Sequence, residues 1–433
     1  MSHAINALAH GGILGKARYH PIAIASPEIF VFRPFEPHSM RFLVMMAAFG
    51  GLPALGTDIA LSGMLAISHS LDVAPGDIGV TLTAFMIGFA ISPLAYGPLA
   101  DRFGRKPIIL YSTAIFALGG WGCATATSLT LLLGWRLVQG VGAGASFALS
   151  ATVINDQFEG AVARSKLSYV GAMGLLAPLS APTIGSLLLH LSDWRLIYWF
   201  LCVMGICVFV AIAIGLRDTY SPGSARRLTP RQIISDYAAV LTSPQSVRYI
   251  AIVSFCFACL FSYVSGSPLV LMGTYGLSPS QYGLTFALTT CGILLGSFLN
   301  GKLNARHVDP TIPLGIGLAL MLFCSVVLLV GSTLVQLPLP IFLGIVVVCT
   351  FSFGLIAPNA SQLALEPVAR IAGTASALRT ACQLAIGGVA GGIVSALYNG
   401  TAFSTVASMA LFSVLACGFH LLGGKRYRVI EDQ

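Results

Sequence analysis

Long apolar runs alternate with short polar connections along the chain, and that rhythm sets the class of the molecule. The runs occupy 42–67, 78–100, 107–127, 130–153, 167–190, 195–216, 248–272, 282–303, 311–332, 338–359, 371–397 and 401–422. A helix of about 20 apolar residues crosses the hydrocarbon of a bilayer, so each run predicts one crossing. Lipid admits only helices or closed barrels, and barrel strands alternate in polarity over about ten residues. These runs are too long and too continuous for strands. The longest polar interruption divides the runs six and six. The prediction is an all-α membrane protein: twelve transmembrane helices in two six-helix pseudo-symmetric bundles. An N-terminal extension (1–38) precedes a first bundle (39–216), and an inter-bundle loop (217–247) leads to a second bundle (248–423) and a tail (424–433). One echo links the halves. Ala177, Ala181 and Gly185 in span five, and the pairs Gly387/Gly391 and Gly388/Gly392 in span eleven, place small residues four apart. Such spacing lets helices approach closely, for static packing or for sliding.

Composition agrees. The chain has 433 residues, 56% hydrophobic and only 9% charged, where a soluble domain carries about 25% charged residues. A net charge of +8 would suggest nucleic acid in a soluble protein. Here, however, 20 of the 23 Lys and Arg fall on one side when connections are assigned alternately, only Arg195 falls on the other, and Arg136 and Arg379 lie inside spans. Basic residues stay cytoplasmic. That predicts both termini in the cytoplasm and excludes nucleic acid as a partner. The ten cysteines all lie in apolar runs, and Cys256–Cys259 has no His, Asp or Glu close by. They read as small packing hydrophobes, with no metal site. The first 38 residues lack a basic start and a clean apolar core, so they do not read as a cleaved signal. Pro21, Pro27, Pro34 and Pro37 suggest an irregular lead. No nucleophile–base cluster, phosphate loop or metal set appears, so no enzyme and no cofactor is expected.

The candidate chemistry is sparse. Asp58 sits alone within the first apolar run. A charge at bilayer depth costs about 2.5–3.5 kcal/mol on insertion scales, and proton uptake removes that cost. Asp58 is therefore a proton site, a partner for a cation, or both. Arg136 in span four lies at a compatible depth, so the two are expected to sense each other, directly or through water or a polar residue. Gln139 shares nearly the same helix face. In span eleven Arg379 and Gln383 also share a face; an arginine there faces a cavity or a substrate, or makes an inter-helix bond. Asn359 is polar at span depth. Phe85, Phe89, Phe255, Phe257, Phe261, Tyr263, Phe351 and Phe353 are the aromatic candidates for a pocket. Asp58, Phe85, Gln139, Phe261, Tyr263, Asn359, Arg379 and Gln383 make up the expected substrate site.

The connection after span two reads Gly97-Pro98-Leu99-Ala100-Asp101-Arg102-Phe103-Gly104-Arg105-Lys106-Pro107. Gly104 allows a tight turn, and Asp101 can pair with Arg102, Arg105 or Lys106 or cap the next helix. The string resembles the signature loop of the major facilitator superfamily. The pattern Arg136, Gln139, Gly140, Gly142, Ala143 resembles that family's second motif, found in proton-linked carriers. Ala177-Pro178-Leu179-Ser180-Ala181-Pro182-Thr183-Ile184-Gly185-Ser186 resembles its antiporter motif, with Ala177, Ala181 and Ser186 where the motif has glycine. Asp193-Trp194-Arg195 is usual at the start of span six; an interfacial aromatic with a paired charge explains it equally. The stretch from Asp58 to Lys106, with Glu366 to Ser376, is similar to the bicyclomycin/chloramphenicol-resistance subgroup of twelve-span drug/proton antiporters. The resemblance covers about residues 40–423.

It implies a proton-coupled multidrug efflux transporter of a bacterial inner membrane, exporting small, fairly lipophilic drugs by alternating access. Asp58 and Arg136 would couple protons. Gly97, Asp101, Arg102, Gly104, Arg105 and Lys106 would form a conformational lock. Pro178, Pro182 and Gly185 would shape a gating helix. The proton gradient would replace any cofactor, the other partners being substrate and lipid, and the carrier would work as a monomer. The alternative is a proton-coupled symporter or exporter of a small metabolite such as a sugar.

Overall fold

The computed structural model describes residues 34–174, 176–217, 230–335 and 337–431, and the described chain is helical with no strand among these residues. Pro21 and Pro27, the 220–227 segment and most of the expected N-terminal extension lie outside them. The first half contains α1 (Met40–Asp58), a 3-10 turn (Ile59–Gly63), α2 (Met64–Leu71), α3 (Pro75–Phe103), α4 (Arg105–Ala124), α5 (Leu129–Gln157), α6 (Gly160–Gly174), α7 (Leu176–Leu191) and α8 (Arg195–Gly215). A short α9 (Pro230–Thr242) follows within the expected inter-bundle loop. The second half contains α10 (Pro244–Pro268) continued by a π turn (Leu269–Thr274), α11 (Pro279–Ala305), α12 (Thr311–Leu334), α13 (Leu339–Leu365), α14 (Ala372–Ala396) and α15 (Phe403–Glu431).

Local chemistry sets many of these boundaries. Ser39, Ser128 and Ser243 accept bonds from the backbone N–H three residues on, and Ser278 forms a reciprocal capping box with Gln281, which satisfies donors that a helix start leaves orphaned. Pro75, Pro244 and Pro279 occupy first-turn positions, where the missing N–H costs nothing. Gly104, at φ 96°, makes the turn that separates α3 from α4; a side chain there would be strained.

Eleven helical stretches are long and apolar enough to cross a membrane, and one of them, Leu339–Ala396, has 58 residues. At 1.5 Å per residue that is about 87 Å, far more than a hydrocarbon core of about 30 Å. The chain turns back within it, at Glu366–Ile371, where Val368 leaves helical geometry. Hydrogen bonds to α10 and its extension fix the reversal. Tyr275 donates to the Leu337 carbonyl (2.7 Å) just before α13, and Gln245 donates to the Leu363 carbonyl (3.2 Å) at its far end. Thr274 then donates to the Gly400 carbonyl (3.5 Å) just after α14. The stretch is two crossings, giving twelve among the described residues. Helix ends differ from the sequence-based spans by a few residues: α10 begins at Pro244 rather than 248, and α15 runs on to Glu431.

Each half packs chiefly within itself: α1, α3, α4, α5 and α8 in the first, α10 to α15 in the second. Lipid tails supply no hydrophobic drive between helices, so close van der Waals approach must do so. A Cβ on Gly140 would lie 2.0 Å from the Phe85 carbonyl of α3, and one on Gly354 would lie 2.5 Å from the Ile293 carbonyl of α11. Large apolar side chains such as Ile91, Phe298 and Phe323 stay exposed, as a lipid-facing surface requires. Two seams join the halves, α3 against α14 and α7 against α11.

Candidate functional site at the break in span one

Span one is not one continuous helix. It leaves the α pattern at Asp58, the last residue of α1, and passes through the 3-10 turn before α2. A stretch of 3-10 inside a long helix often marks a hinge. The turn is clasped by α7: a Cβ on Gly185 would lie 2.2 Å from the Ile59 carbonyl and 2.4 Å from the Ser62 hydroxyl. Only glycine permits that approach. The turn also packs against α10 and α11 of the second half. Asp58 is 8% exposed. Tyr282 of α11 is itself buried and hydrogen-bonded to Ser267 (3.0 Å). The carboxylate thus sits at the break of one half, beside the turn that packs on the helices of the other carrying this hydroxyl pair.

Arg136 lies close in space to this break but does not pair with the carboxylate. Its Nη1 donates to the Gly56 carbonyl (2.8 Å), two residues before Asp58, and to Gln139 Oε1 (2.8 Å). The guanidinium sits over the rings of Phe85 (4.6 Å) and Tyr198 (5.7 Å). The ion pairs among the described residues are Arg105–Asp101, Arg105–Asp156 and Arg195–Asp193. The expected link between Arg136 and Asp58 therefore runs through the backbone of α1: carbonyl oxygens near a helix break need donors, and the guanidinium supplies one. Phe85 and Gln139, expected to line a pocket, are fully buried and hold Arg136.

In the second half, the Tyr263 hydroxyl bonds Thr289 (3.0 Å) while its ring stacks on Phe286 (6.3 Å). Phe261 stacks on Phe257 (5.8 Å), which meets Phe353 (6.2 Å), and Phe257 and Phe261 lie beside Gly387 of α14. Phe255 meets Phe412 and Phe419 of α15. Asn359 donates to Asn300 Oδ1 (2.6 Å) and the Leu355 carbonyl (2.8 Å), so it ties α13 to α11. Arg379 and Gln383 do share a face: Arg379 Nη1 donates to Gln383 Oε1 (2.8 Å) and Nη2 to the Thr380 hydroxyl (3.3 Å). Both are half-buried.

The signature loop forms a charged joint. Arg105 pairs with Asp101 across the Gly104 turn and with Asp156 at the end of α5 (3.1 Å). Lys106 donates to the Ala213 carbonyl of α8 (2.8 Å) and Arg102 lies over Phe103 (5.1 Å). Gly97 has open space where a Cβ would be. Asp156 was not anticipated; a lone acid in the last turn of span four, opposite a basic loop, was the available signal.

Contacts between the halves gather at the end away from this loop. Thr83 donates to the Gly388 carbonyl (3.1 Å), and His190 bonds Ser280 (2.9 Å). A Cβ on Gly283 would lie 3.0 Å from the Thr183 backbone and 3.1 Å from the Pro182 carbonyl, and one on Gly76 would lie 3.0 Å from the Ser395 carbonyl. Pro182 is buried inside α7 and Pro178 half-buried. Sequence reasoning missed Thr83, His190 and Gly283, which carry no pattern of their own.

Comparison with known proteins decides the family. The profile described as Major Facilitator Superfamily matches residues 40–392. The chain belongs to the Major Facilitator Superfamily. It is thus a membrane transporter rather than an enzyme. Among curated relatives of this facilitator, a bicyclomycin resistance protein homolog of Haemophilus influenzae is 29% identical over 385 residues, covering 87% of this chain and 95% of the relative. The multidrug resistance protein MdtL of a Shewanella species is 32% identical over 244 residues, covering 56% of this chain and 61% of the relative. Among solved structures, a bacterial homolog of the human lysosomal transporter Spinster, in an inward-facing and occupied conformation, superposes with a TM-score of 0.69 at 16% identity, covering 90% of this chain and 97% of that one. The xylose transporter XylE of E. coli, partially occluded and inward open, gives 0.67 at 15% identity, with 88% and 96% covered. These two likenesses establish the fold alone.

Proposed function

We propose that this facilitator exports small, fairly lipophilic drugs from a bacterial cell in exchange for protons, by alternating access, with Asp58 as the group that proton and drug share. The observation that carries the proposal is the placing of Asp58: a buried carboxylate, without an ion-pair partner among the described residues, at a break in span one and against the second half. With basic loops in the cytoplasm, the two seams lie toward the outer face, and the conformation is one sealed to the outside. In the outward-open state Asp58 takes a proton and the drug leaves. In the sealed state the proton passes to the cytoplasm and a new drug binds. Proton and drug compete for the same carboxylate, the drug by donating hydrogen bonds to its ionised form, and that mutual exclusion is sufficient for exchange. Arg136 positions the α1 backbone beside Asp58, and the Arg105 joint tunes the balance between states. The names of the Haemophilus and Shewanella relatives support a drug as cargo and export as the direction. This scheme needs only one chain and no cofactor.

The test is reconstitution in vesicles with an imposed pH gradient, read beside a drug-susceptibility panel in a pump-deficient host. Wild type should drive drug against its gradient and protect the host, while Asp58→Asn should lose gradient-driven transport and protection at undiminished expression. Export by Asp58→Asn at the wild-type rate would overturn the assignment.

A further inference from the structure

The seam between α7 and α11 holds a titratable side chain at a junction of two helix ends. His190 stands in the last turn of α7 and Ser280 in the first turn of α11, and the imidazole Nε2 lies 2.9 Å from the Ser280 hydroxyl. His190 is exposed and Ser280 half-buried, so the pair meets solvent even while the halves are closed. Histidine is the side chain that ordinarily changes charge between about pH 5 and 8. The bond itself survives protonation, since a neutral ring accepts from or donates to a hydroxyl and an imidazolium donates to it. What changes is the charge placed between the two helices.

The two ends treat that charge oppositely. A helix C-terminus favours a cation and an N-terminus disfavours it. The C-terminal end of α7 carries His190, while α11 presents its N-terminal end, with no acid in its first turn to offset the cost. The other ionisable groups do not reverse this. Asp193, in the connection after α7, pairs with Arg195 at the start of α8 (3.3 Å). Of the elements packed on α7, α8 carries Tyr198, α11 carries Tyr282 and span one carries Asp58, all buried. The 3-10 turn has no ionisable side chain, and Arg41 of α1 and Lys166 of α6 belong to the end of the Gly104 loop. The α7 terminus, Asp193 and Arg195 stay with His190 whether the seam is closed or open. The α11 terminus meets His190 only in the sealed state. Protonation of His190 therefore raises the free energy of the sealed state alone, and acid favours opening.

We propose that His190 senses external acidity and loosens the outer seam when protonated, so that a proton-rich exterior favours the state in which Asp58 loads; this rests on the orientation and exchange proposed above. The test is hydrogen–deuterium exchange on the full chain in lipid nanodiscs at about pH 7.5 and about pH 5.5, each corrected for the intrinsic rate. Segments 183–191 and 279–286 are read in the Asp58→Asn protein, which takes the coupling carboxyl out of the titration. Acid should lower protection at both segments about two- to fivefold, the scale of a charge at an exposed helix end. His190→Gln, a polar side chain that does not titrate, should abolish the acid response. His69→Gln, at the end of α2 on the same side, should leave it intact, and salt at about 1 M should shrink it. If Asp58→Asn fails to fold, the difference between wild type and His190→Gln reads the same effect. An acid response of equal size in His190→Gln overturns the proposal, and so does protection that stays constant or rises in acid. Absence of gradient-driven exchange with this response intact would instead count against the exchange function.

Discussion

The seam between α7 and α11 gives the sharpest structural prediction, and Gly283 is the place to apply it. A Cβ there would stand 3.0 Å from the Thr183 backbone, against an ordinary carbon contact of about 3.5–4.0 Å. Gly283→Val needs more room still. The opposing surface is main chain, and α7 is itself pinned where Gly185 meets the Ile59 carbonyl, so the strain is relieved by parting the seam. Overpacking of this kind costs about 1–3 kcal/mol. Only the sealed state carries the cost, since the contact disappears once the halves separate. With RT at about 0.59 kcal/mol, the equilibrium should move about 5- to 150-fold toward the state open at that end. Hydrogen–deuterium exchange on the reconstituted protein reads the shift: segments 183–191 and 279–286 should exchange faster in Gly283→Val, and the Gly104 loop slower. Gly344→Val, where a Cβ meets nothing within 4 Å, is the control and should match wild type. Unchanged protection at both seam segments in a folded Gly283→Val protein would refute the argument.

Other outcomes follow from the same geometry. Thr83→Val keeps the side-chain shape but removes the bond to the Gly388 carbonyl, so it should move exchange at the α3–α14 seam in the same direction by a few-fold, the worth of about 0.5–1.5 kcal/mol. Arg136→Met leaves the buried oxygens of Gly56 and Gln139 without their donor, and thermal unfolding in detergent should report a loss of about 2–5 kcal/mol; an unchanged melting point would show that the guanidinium does not anchor α1. Asp156→Asn breaks a partly exposed ion pair, of a kind worth about 0–1 kcal/mol, so stability should barely change while transport rate does. A large drop in melting temperature would mean that the joint is structural rather than a lock.

The twelve crossings were readable because lipid enforces one rule, an unbroken apolar run with every backbone group bonded within its own helix. The predicted 107–127 and the observed Arg105–Ala124 differ only where capping and turn chemistry trim the ends. The break after Asp58 was not readable: Ile59, Ala60, Leu61 and Ser62 are as compatible with an α-helix as with a 3-10 turn, and the choice is made by Gly185 arriving from another helix. Arg136 shows a second limit. Its depth and its pairing with Gln139 follow from helix spacing, yet its bond to the Gly56 carbonyl depends on where α1 ends. That Asp101 would meet a basic residue of its own loop was legible, since Arg102, Arg105 and Lys106 all stand within five positions; the choice of Arg105 over the other two, or over a helix cap, was made by the fold. Asp156 was not legible, since only folding brings α5 to that loop. Gly283 and Thr83 belong to no local pattern; they matter only because the halves meet there.

The central claim is that one carboxyl group serves proton and substrate in turn. Its most direct measurement is proton release in weakly buffered solution when chloramphenicol is added to purified, gradient-free protein. The account predicts that wild type sheds protons on binding, that the release shrinks at alkaline pH where Asp58 is already ionised, and that Asp58→Asn binds without releasing any. Proton release by Asp58→Asn equal to that of wild type would contradict it.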